Sequence, residues 1–233
     1  MEEIQAIAMP GTHKRFAEYF LAHETPASKV LDIGAGYGAF SQLLYREGFQ
    51  VEACDLFPEN FQFQSISCHF INLMNRFPFP DQSFDLAVAI EVSEHITDHE
   101  MFFSEIERIL KPGGRFYIST PNILSLKSRI RFLFTGYYYS FSKLRYDLHD
   151  GLQHVASLTL DQYNYIAINH HFHPAEVNID KQQRTSIWLR IFLIPLLFFF
   201  SNLWKTGWFH NQNSLLLGRL LFLCFKKSLL IIL

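Results

Sequence analysis

The first half of the chain alternates short apolar runs with stretches whose apolar residues recur at helical spacing. The earliest run spans residues 30–33, and its aliphatic and β-branched side chains favour a buried strand. Phe40, Leu43 and Leu44 follow on one face of a predicted helix. Further strands are predicted at residues 49–56, 68–73, 84–92 and 115–119. Strands that alternate with helices in this way indicate a doubly wound, mostly parallel α/β sheet.

The second half contains two more predicted strands, at residues 174–180 and 218–225, which we expect to pair antiparallel. The complete prediction is therefore an α/β fold with a seven-stranded sheet and one antiparallel strand. A hydrophobic helical insertion precedes the last strand, so residues 1–181 and 215–227 would form one domain and residues 182–214 the insertion. Two local details are also predicted, a helix at 13–23 capped by Thr12 and a turn at 111–114.

The insertion carries an uninterrupted apolar run from Ile191 to Phe200. About ten residues are too few to span a bilayer ~30 Å thick, which needs roughly 20. Arg190 and Pro195 also disfavour a spanning helix. An interfacial helix with tryptophans at headgroup level is one interpretation, and an apolar surface buried in a homodimer is the other.

Charge and cysteine content exclude some classes of function. The formal net charge is −2 and no basic block is present, which argues against a nucleic-acid partner. The three cysteines are scattered without metal-ligand spacing and fit a reducing compartment. The acidic N-terminal stretch shows no secretory signal, so we expect a cytoplasmic protein, with membrane association through the insertion as an option.

The first predicted strand runs directly into a glycine-rich turn, with Gly34, Gly36 and Gly38 at alternate positions. Glycine is needed where the backbone adopts positive φ or approaches a ligand closely. The helix that follows directs its free N–H groups and the positive end of its dipole into the turn. This arrangement predicts a nucleotide-like ligand.

Asp32 narrows the choice of that ligand. A carboxylate two residues before the first glycine would repel a pyrophosphate but attract an ammonium group. S-adenosylmethionine has an amino-acid head group and no phosphate, so Asp32 favours it over a nicotinamide dinucleotide. Asp55 ends the next strand about 20 residues further on, where either ligand class would place a carboxylate for its ribose hydroxyls.

Four motifs in order resemble the class I S-adenosylmethionine-dependent methyltransferases, and they are similar to those of the ubiquinone-biosynthesis O-methyltransferase type. They are DIGAGYG at residues 32–38, FPFPDQSFD at 77–85, EVSEH at 91–95 and LKPGG at 110–114. The resemblance covers residues 30–122 and implies a Rossmann-like fold. It also makes the domain at 1–181 and 215–227 the methyltransferase domain.

The resemblance implies a cofactor site at positions that match the family's motifs. Asp32 would hold the methionine ammonium, the backbone of Gly34, Ala35 and Gly36 would approach the cofactor, and Asp55 would bind the ribose. Asn72 stands where many relatives have an aspartate for the adenine amino group, and it can still accept a hydrogen bond. The remaining implied cofactor residues are Leu56, Leu73 and Glu91.

Glu91, Glu94 and His95 follow a predicted central strand and could bind a divalent cation or supply a general base. Glu94 and His95 could equally cap and solvate the start of the next helix. In the ubiquinone-type enzymes this pattern is associated with a metal. His154 stands in an HVxxLTL run where similar enzymes often have a histidine facing the substrate. His95 and His154 are therefore the candidate catalytic bases.

The predicted function is transfer of a methyl group from S-adenosylmethionine to a small-molecule or lipid-linked acceptor, through an oxygen, nitrogen or carbon nucleophile. Two alternatives remain open. The chain could be a non-catalytic module that keeps the cofactor fold and acts through its apolar insertion. An NAD(P)-dependent oxidoreductase is disfavoured by Asp32 and by the LKPGG run.

Overall fold

The computed structural model describes residues 3–148 and 151–229, and a seven-stranded sheet forms its centre. The strands are β1 (Lys29–Ile33), β2 (Gln50–Asp55), β3 (Cys68–Phe70), β4 (Phe84–Ile90), β5 (Leu110–Pro121), β6 (Glu176–Ile179) and β7 (Leu220–Lys226). Their order across the sheet is β3-β2-β1-β4-β5-β7-β6. β1 to β5 pair in parallel, whereas β7 is antiparallel to both of its neighbours. The predicted fold, with one antiparallel strand near an edge, is confirmed.

Helices cover both faces of the sheet. They are α1 (Thr12–Leu21), α2 (Ala39–Arg46), α3 (His99–Ile109), α4 (Leu126–Thr135), α5 (Leu160–Asn169), α6 (Arg184–Leu203) and α7 (Asn213–Leu217). α1 and α2 pack on one face, and α3 and α5 pack on the other. Because side chains alternate along a strand, Val30 joins the first layer and Leu31 the second. Both layers are rich in phenylalanine, which accounts for much of the 16% aromatic content.

The chain reverses its direction of winding between β1 and β4. β2 and β3 lie on one side of β1, whereas β4 and β5 lie on the other. In a doubly wound sheet, ligands bind at this switch point, beyond the carboxyl ends of the strands. The loops after β1, β2 and β4 therefore define the region in which to look for a site.

Two local predictions are wrong. Thr12 does not cap α1, because Gly11 holds the N-cap position in a left-handed conformation and makes no side-chain cap bond. Thr12 is instead buried within the first turn, and its hydroxyl oxygen accepts a hydrogen bond from Arg219. Residues 111–114 do not form a turn before a strand. They bulge within β5, where Leu110 pairs with Phe84 and Arg115 already pairs with Leu86.

The apolar insertion forms a longer helix than its ten-residue run suggested. α6 continues for 20 residues through Arg190 and Pro195. Among the described residues it is the one helix whose length and composition would allow it to cross a membrane. Leu189, Leu193 and Leu197 pack against a small apolar cluster of Leu126, Leu216 and Leu217. One side of α6 therefore lies on the domain.

Candidate functional site

The turn between β1 and α2 contains three glycines with positive φ, and two of them illustrate why a side chain does not fit there. Gly34 and Gly36 have φ values of +68° and +55°, a region that side chains rarely tolerate. A Cβ on Gly34 would lie 2.4 Å from Cγ2 of Val92, and one on Gly36 would lie 2.9 Å from Cδ1 of Ile7. The backbone of the turn therefore carries no side chain where Val92 and Ile7, a residue of the N-terminal segment, approach it.

Asp32 lies beneath this turn and is only 2% exposed. Its Oδ2 accepts a hydrogen bond of 2.6 Å from the Ser41 hydroxyl of α2. Burial, and to a smaller extent the neighbouring charge of Asp55, raises the pKa of Asp32 to about 6, although the Ser41 hydrogen bond opposes the rise. Ionised Asp32 next to the glycine turn therefore lowers the stability of the folded protein.

Asp55 joins the end of β2 to the same turn. Its two carboxylate oxygens accept hydrogen bonds of 2.8 Å from the N–H groups of Gly36 and Phe57. The N–H groups of Gly34 and Ala35 donate to the carbonyl of Cys54. The structure thus brings the predicted residues Gly34, Ala35, Gly36 and Asp55 together, with Leu56 partly exposed beside them.

Asn72 and Leu73 follow the end of β3, next to β2. The N–H of Ile71 donates to the carbonyl of Asp55, which fixes the start of this segment. The side-chain oxygen of Asn72 accepts a hydrogen bond of 3.0 Å from the N–H of Met74. Leu73 packs against the main core. Both residues therefore lie at the carboxyl edge of the sheet, on the β3 side.

Glu91 does not join Glu94 and His95 in the cluster that their spacing suggested. It has a positive φ of 53°, and its N–H donates to Ser119. Burial raises the pKa of its carboxyl group, and the nearby backbone N–H of Met9 opposes part of that rise. Glu91 thus ties the N-terminal segment over the switch point.

Glu94, His95 and His154 form the cluster that the structure does show. One potential ligand atom from each lies within 4.8 Å of the others, and the two imidazole centroids are 4.9 Å apart. The backbone carbonyl of Glu94 accepts the N–H groups of Val155 and Ala156 at 2.9 and 3.0 Å. These two bonds hold the segment that carries His154 against the end of β4.

The protonation of this cluster is set by burial. Glu94 is 1% exposed, and among the described residues no hydrogen bond of normal geometry reaches its carboxylate oxygens. Burial raises the pKa of Glu94 to about 8, with its own backbone N–H and the Thr120 hydroxyl offsetting part of the rise. Burial and the neighbouring His95 lower the pKa of His154. At neutral pH the cluster therefore favours a protonated carboxyl and a neutral imidazole.

The geometry leaves two chemical uses for this cluster. Nδ1 of His95 lies 3.0 Å from the carbonyl oxygen of Gln153, a contact that requires the proton on Nδ1 and leaves Nε2 as the basic atom. Nδ1 of His154 is buried, and no hydrogen bond to it is found among the residues described. Two imidazoles and a carboxyl group could pass a proton or hold a cation.

A second buried network supports the cluster and was missed from the sequence. The hydroxyl of Ser93 lies 2.7 Å from the Tyr163 hydroxyl and 3.2 Å from Nε2 of His99. Tyr163 also donates to Thr120 at 3.4 Å. No spacing signal connects these residues, because they come from α3, α5, β5 and the loop after β4. They fix the loop on which Glu94 and His95 stand.

Comparison with known proteins gives a family for most of the chain. A family model described as a methyltransferase domain matches residues 5–173. Over 116 residues the chain is 33% identical to demethylmenaquinone methyltransferase of Tropheryma whipplei (strain Twist), covering 47% of this chain and 48% of the relative. It is 32% identical over 111 residues to ubiquinone biosynthesis O-methyltransferase of Xylella fastidiosa (strain M23), covering 41% and 42%. The chain spans about half the length of these curated relatives, or less.

Solved structures agree on the fold. An S-adenosylmethionine-dependent methyltransferase from Archaeoglobus fulgidus has a TM-score of 0.64 at 17% identity, covering 92% of each chain. Phosphoethanolamine N-methyltransferase 2 of Haemonchus contortus, solved with S-adenosyl-L-methionine, has a TM-score of 0.55 at 19% identity, covering 96% of this chain and 54% of that one. At these identities the likeness establishes the fold.

Proposed function

The chain belongs to the methyltransferase domain family, and on that premise we propose that it transfers the methyl group of S-adenosylmethionine to a small-molecule acceptor. The observation that carries the proposal is the carboxylate of Asp55 bonded to the bare glycine turn. A nucleoside with an amino-acid tail fits this combination of the Asp55 carboxylate, a glycine backbone without side chains and the buried acid Asp32. The acceptor is a small or lipid-linked molecule with an oxygen, nitrogen or carbon nucleophile.

The residues around the turn have the chemistry that this cofactor requires. Bound S-adenosylmethionine supplies an electrophilic methyl group on a sulfonium. Asp32 would balance the cofactor's ammonium, and Asp55, whose carboxylate accepts the N–H of Gly36, would accept hydrogen bonds from the ribose hydroxyls. Gly34, Ala35 and Leu56 line the nucleoside. Asn72 and Leu73 would contact the adenine, and Glu91, beside the backbone of Met9, would lie at the methionine end.

His95 and His154 act as the base for an acceptor that must lose a proton. The neutral state of His154 suits this role, because only an unprotonated imidazole can accept a proton. Most of the acceleration comes from holding the acceptor in line with the methyl group, since the sulfonium is already a good leaving group.

A divalent cation bound by Glu94, His95 and His154 is a second use of the same cluster, favoured by the Glu94 carboxylate, to which no described residue donates a hydrogen bond of normal geometry. The cation would ionise Glu94 and orient an oxygen nucleophile. Elemental analysis of purified protein and the effect of a chelator on turnover distinguish this role from a base without metal. Loss of activity on chelation, restored by the metal, would favour the cation.

Two further functions were open from the sequence, a non-catalytic module and an NAD(P)-dependent oxidoreductase. The matched proteins described above are methyltransferases, so they lend neither alternative support. Calorimetric titration with S-adenosylhomocysteine, with NADH as the control ligand, tests the proposal. We expect micromolar binding of the first and none of the second, and binding of NADH alone would refute it.

The base is tested separately, with turnover followed as release of S-adenosylhomocysteine in the presence of membrane lipid extract. His154→Gln should lower turnover by about 100-fold or more and leave the affinity for S-adenosylhomocysteine unchanged. His173→Gln replaces an exposed histidine and is the matched control. Absence of turnover in the unaltered protein with every extract, despite cofactor binding, would favour the non-catalytic module.

A further inference from the structure

The outer side of α6 exposes a continuous row of large apolar side chains. The C-terminal half of α4, which packs against α6, adds three more. We call this surface the aromatic face, and it consists of Phe132, Leu133, Phe134, Trp188, Ile191, Phe192, Phe198, Phe199, Leu203 and Trp204. Apolar patches of this extent on soluble domains mark interaction sites.

The segments that form the aromatic face carry basic residues but no acidic ones. Residues 123–146 and 181–210, which include α4 and α6, carry nine Lys and Arg and no Asp or Glu. The rest of the chain carries 11 Lys and Arg against 22 Asp and Glu. A net charge of −2 thus conceals a basic region within an acidic protein. Lys143 and Lys205 are exposed within this region, whereas Arg145 is exposed but pairs with Asp147 at 3.0 Å, just beyond it.

We propose that the aromatic face docks onto a bilayer that contains anionic phospholipids, with α6 lying in the plane of the membrane. Aromatic and aliphatic side chains would enter the headgroup and upper acyl region, and the surrounding cations would meet lipid phosphates. The charge pattern also argues against a second copy of this chain as the occupant. Self-association would bring two basic regions together, whereas an anionic surface neutralises them.

Contacts with the domain favour the in-plane orientation over a spanning one. Ser186 is buried, and the inner leucines of α6 remain packed on Leu126, Leu216 and Leu217. Arg129 of α4 donates to the Asn211 side chain at 2.7 Å and to the Leu124 carbonyl at 2.8 Å, which holds the return segment against α4. A helix that spanned the bilayer would have to break this packing.

A row of aromatic rings links the aromatic face to the candidate site. The ring of Phe132 stacks on Tyr138 at 4.4 Å, Tyr138 contacts Phe141, and Phe141 lies 5.3 Å from the imidazole of His154. On the proposed function, an acceptor with an apolar tail could pass from the bilayer along this row. That consequence depends on methyl transfer, whereas the docking itself does not.

The three tryptophans of the chain provide a direct test, because residues 188, 204 and 208 all lie on or beside α6. Full-length protein is mixed with vesicles of phosphatidylcholine alone or of equal parts phosphatidylcholine and phosphatidylglycerol. We expect a blue shift of tryptophan emission and flotation with the mixed vesicles, both weakened by salt. Lipids brominated near the headgroup should quench emission more than lipids brominated near the chain ends.

Phe192→Asp should weaken partitioning into mixed vesicles by about 10- to 100-fold. Phe192 is 74% exposed, so its replacement leaves the packing of the domain intact. Phe70→Asp is the matched control, since Phe70 is 62% exposed at the opposite edge of the sheet, on β3. Equal losses in the two variants would overturn the proposal.

Three other outcomes also count against docking. Equal partitioning into neutral and anionic vesicles would refute the role of charge, and stronger quenching by deeply brominated lipids would refute the in-plane helix. A concentration-dependent dimer in sedimentation, with no vesicle binding, would assign the aromatic face to a second copy. Titration of the same preparations with S-adenosylhomocysteine shows independently whether the cofactor proposal holds.

Discussion

Replacing Asp32 with asparagine should stabilise the ligand-free protein at neutral pH while weakening cofactor binding. Burial raises the pKa of Asp32 from 3.8 to about 6. An acid whose pKa is raised by folding contributes stability below its unfolded pKa, and that contribution is lost as the pH rises through the folded pKa. Between about pH 3 and pH 7, ionisation of Asp32 should therefore lower the free energy of unfolding by about 3 kcal/mol, at 1.36 kcal/mol per pKa unit, and most of this loss falls above pH 4.

The assay is urea denaturation of both proteins between pH 4 and pH 8. An asparagine oxygen can keep the Ser41 hydrogen bond, and any constant penalty from burying the amide cancels when the difference between the proteins is compared across pH. We expect Asp32→Asn to gain relative to the unaltered protein as the pH rises, with a plateau above about pH 6. Glu18→Gln, at an exposed position on α1, controls for the loss of one acidic group.

The affinity for S-adenosylhomocysteine should fall in Asp32→Asn, although the stability of the ligand-free protein rises. An amide cannot balance the ammonium of the ligand, so we expect its affinity for Asp32→Asn to fall by about tenfold or more. A stability difference that does not change with pH would refute the raised pKa. Unchanged ligand affinity would show that Asp32 has no part in binding the ammonium.

Three substitutions test the local structure by urea denaturation. Gly34→Ala combines a positive φ with a Cβ 2.4 Å from Val92, so it should cost about 2 kcal/mol or more, whereas Gly207→Ala has a similar φ of +70° with open space around it and should cost about 1 kcal/mol. Equal losses would show that the contact with Val92 relaxes freely. Asp98→Ala removes the bond from the N–H of Met101 to the cap of α3 and should cost about 1 kcal/mol. A loss within experimental error would show that solvent replaces the cap.

Much of the sheet was predictable because its signals are local. A strand buried on both faces needs apolar residues such as Val30, Leu31 and Ile33, and the glycines of the first turn have a conformational reason to be glycine. The bulge at residues 111–114 was not predictable in the same way. The sequence LKPGG has the composition of a turn. In the structure, however, the residues on both sides of the bulge, Leu110 and Arg115, pair with Phe84 and Leu86 of β4.

The candidate site was harder to predict because it depends on contacts between distant segments. The motif EVSEH suggested that Glu91, Glu94 and His95 act together, yet a positive φ at Glu91 directs its carboxylate to the N–H of Met9. His154 meets His95 because the backbone of residues 155 and 156 is bonded to the carbonyl of Glu94. These contacts join residues far apart in the sequence, so no local sequence pattern predicts them.

Two buried acids, Asp32 and Glu94, and the half-buried Glu91 share a physical consequence that links the site to its ligand. Burial is the largest cause of the raised pKa at Asp32, Glu91 and Glu94, so each one destabilises the folded protein when it ionises without a partner. A ligand or ion that brings positive charge relieves this penalty, and an anionic dinucleotide adds to it. We therefore expect ionised Asp32 and Glu91 to favour a ligand that carries positive charge over NADH, whereas Glu94, which is protonated at neutral pH, contributes only once a cation ionises it.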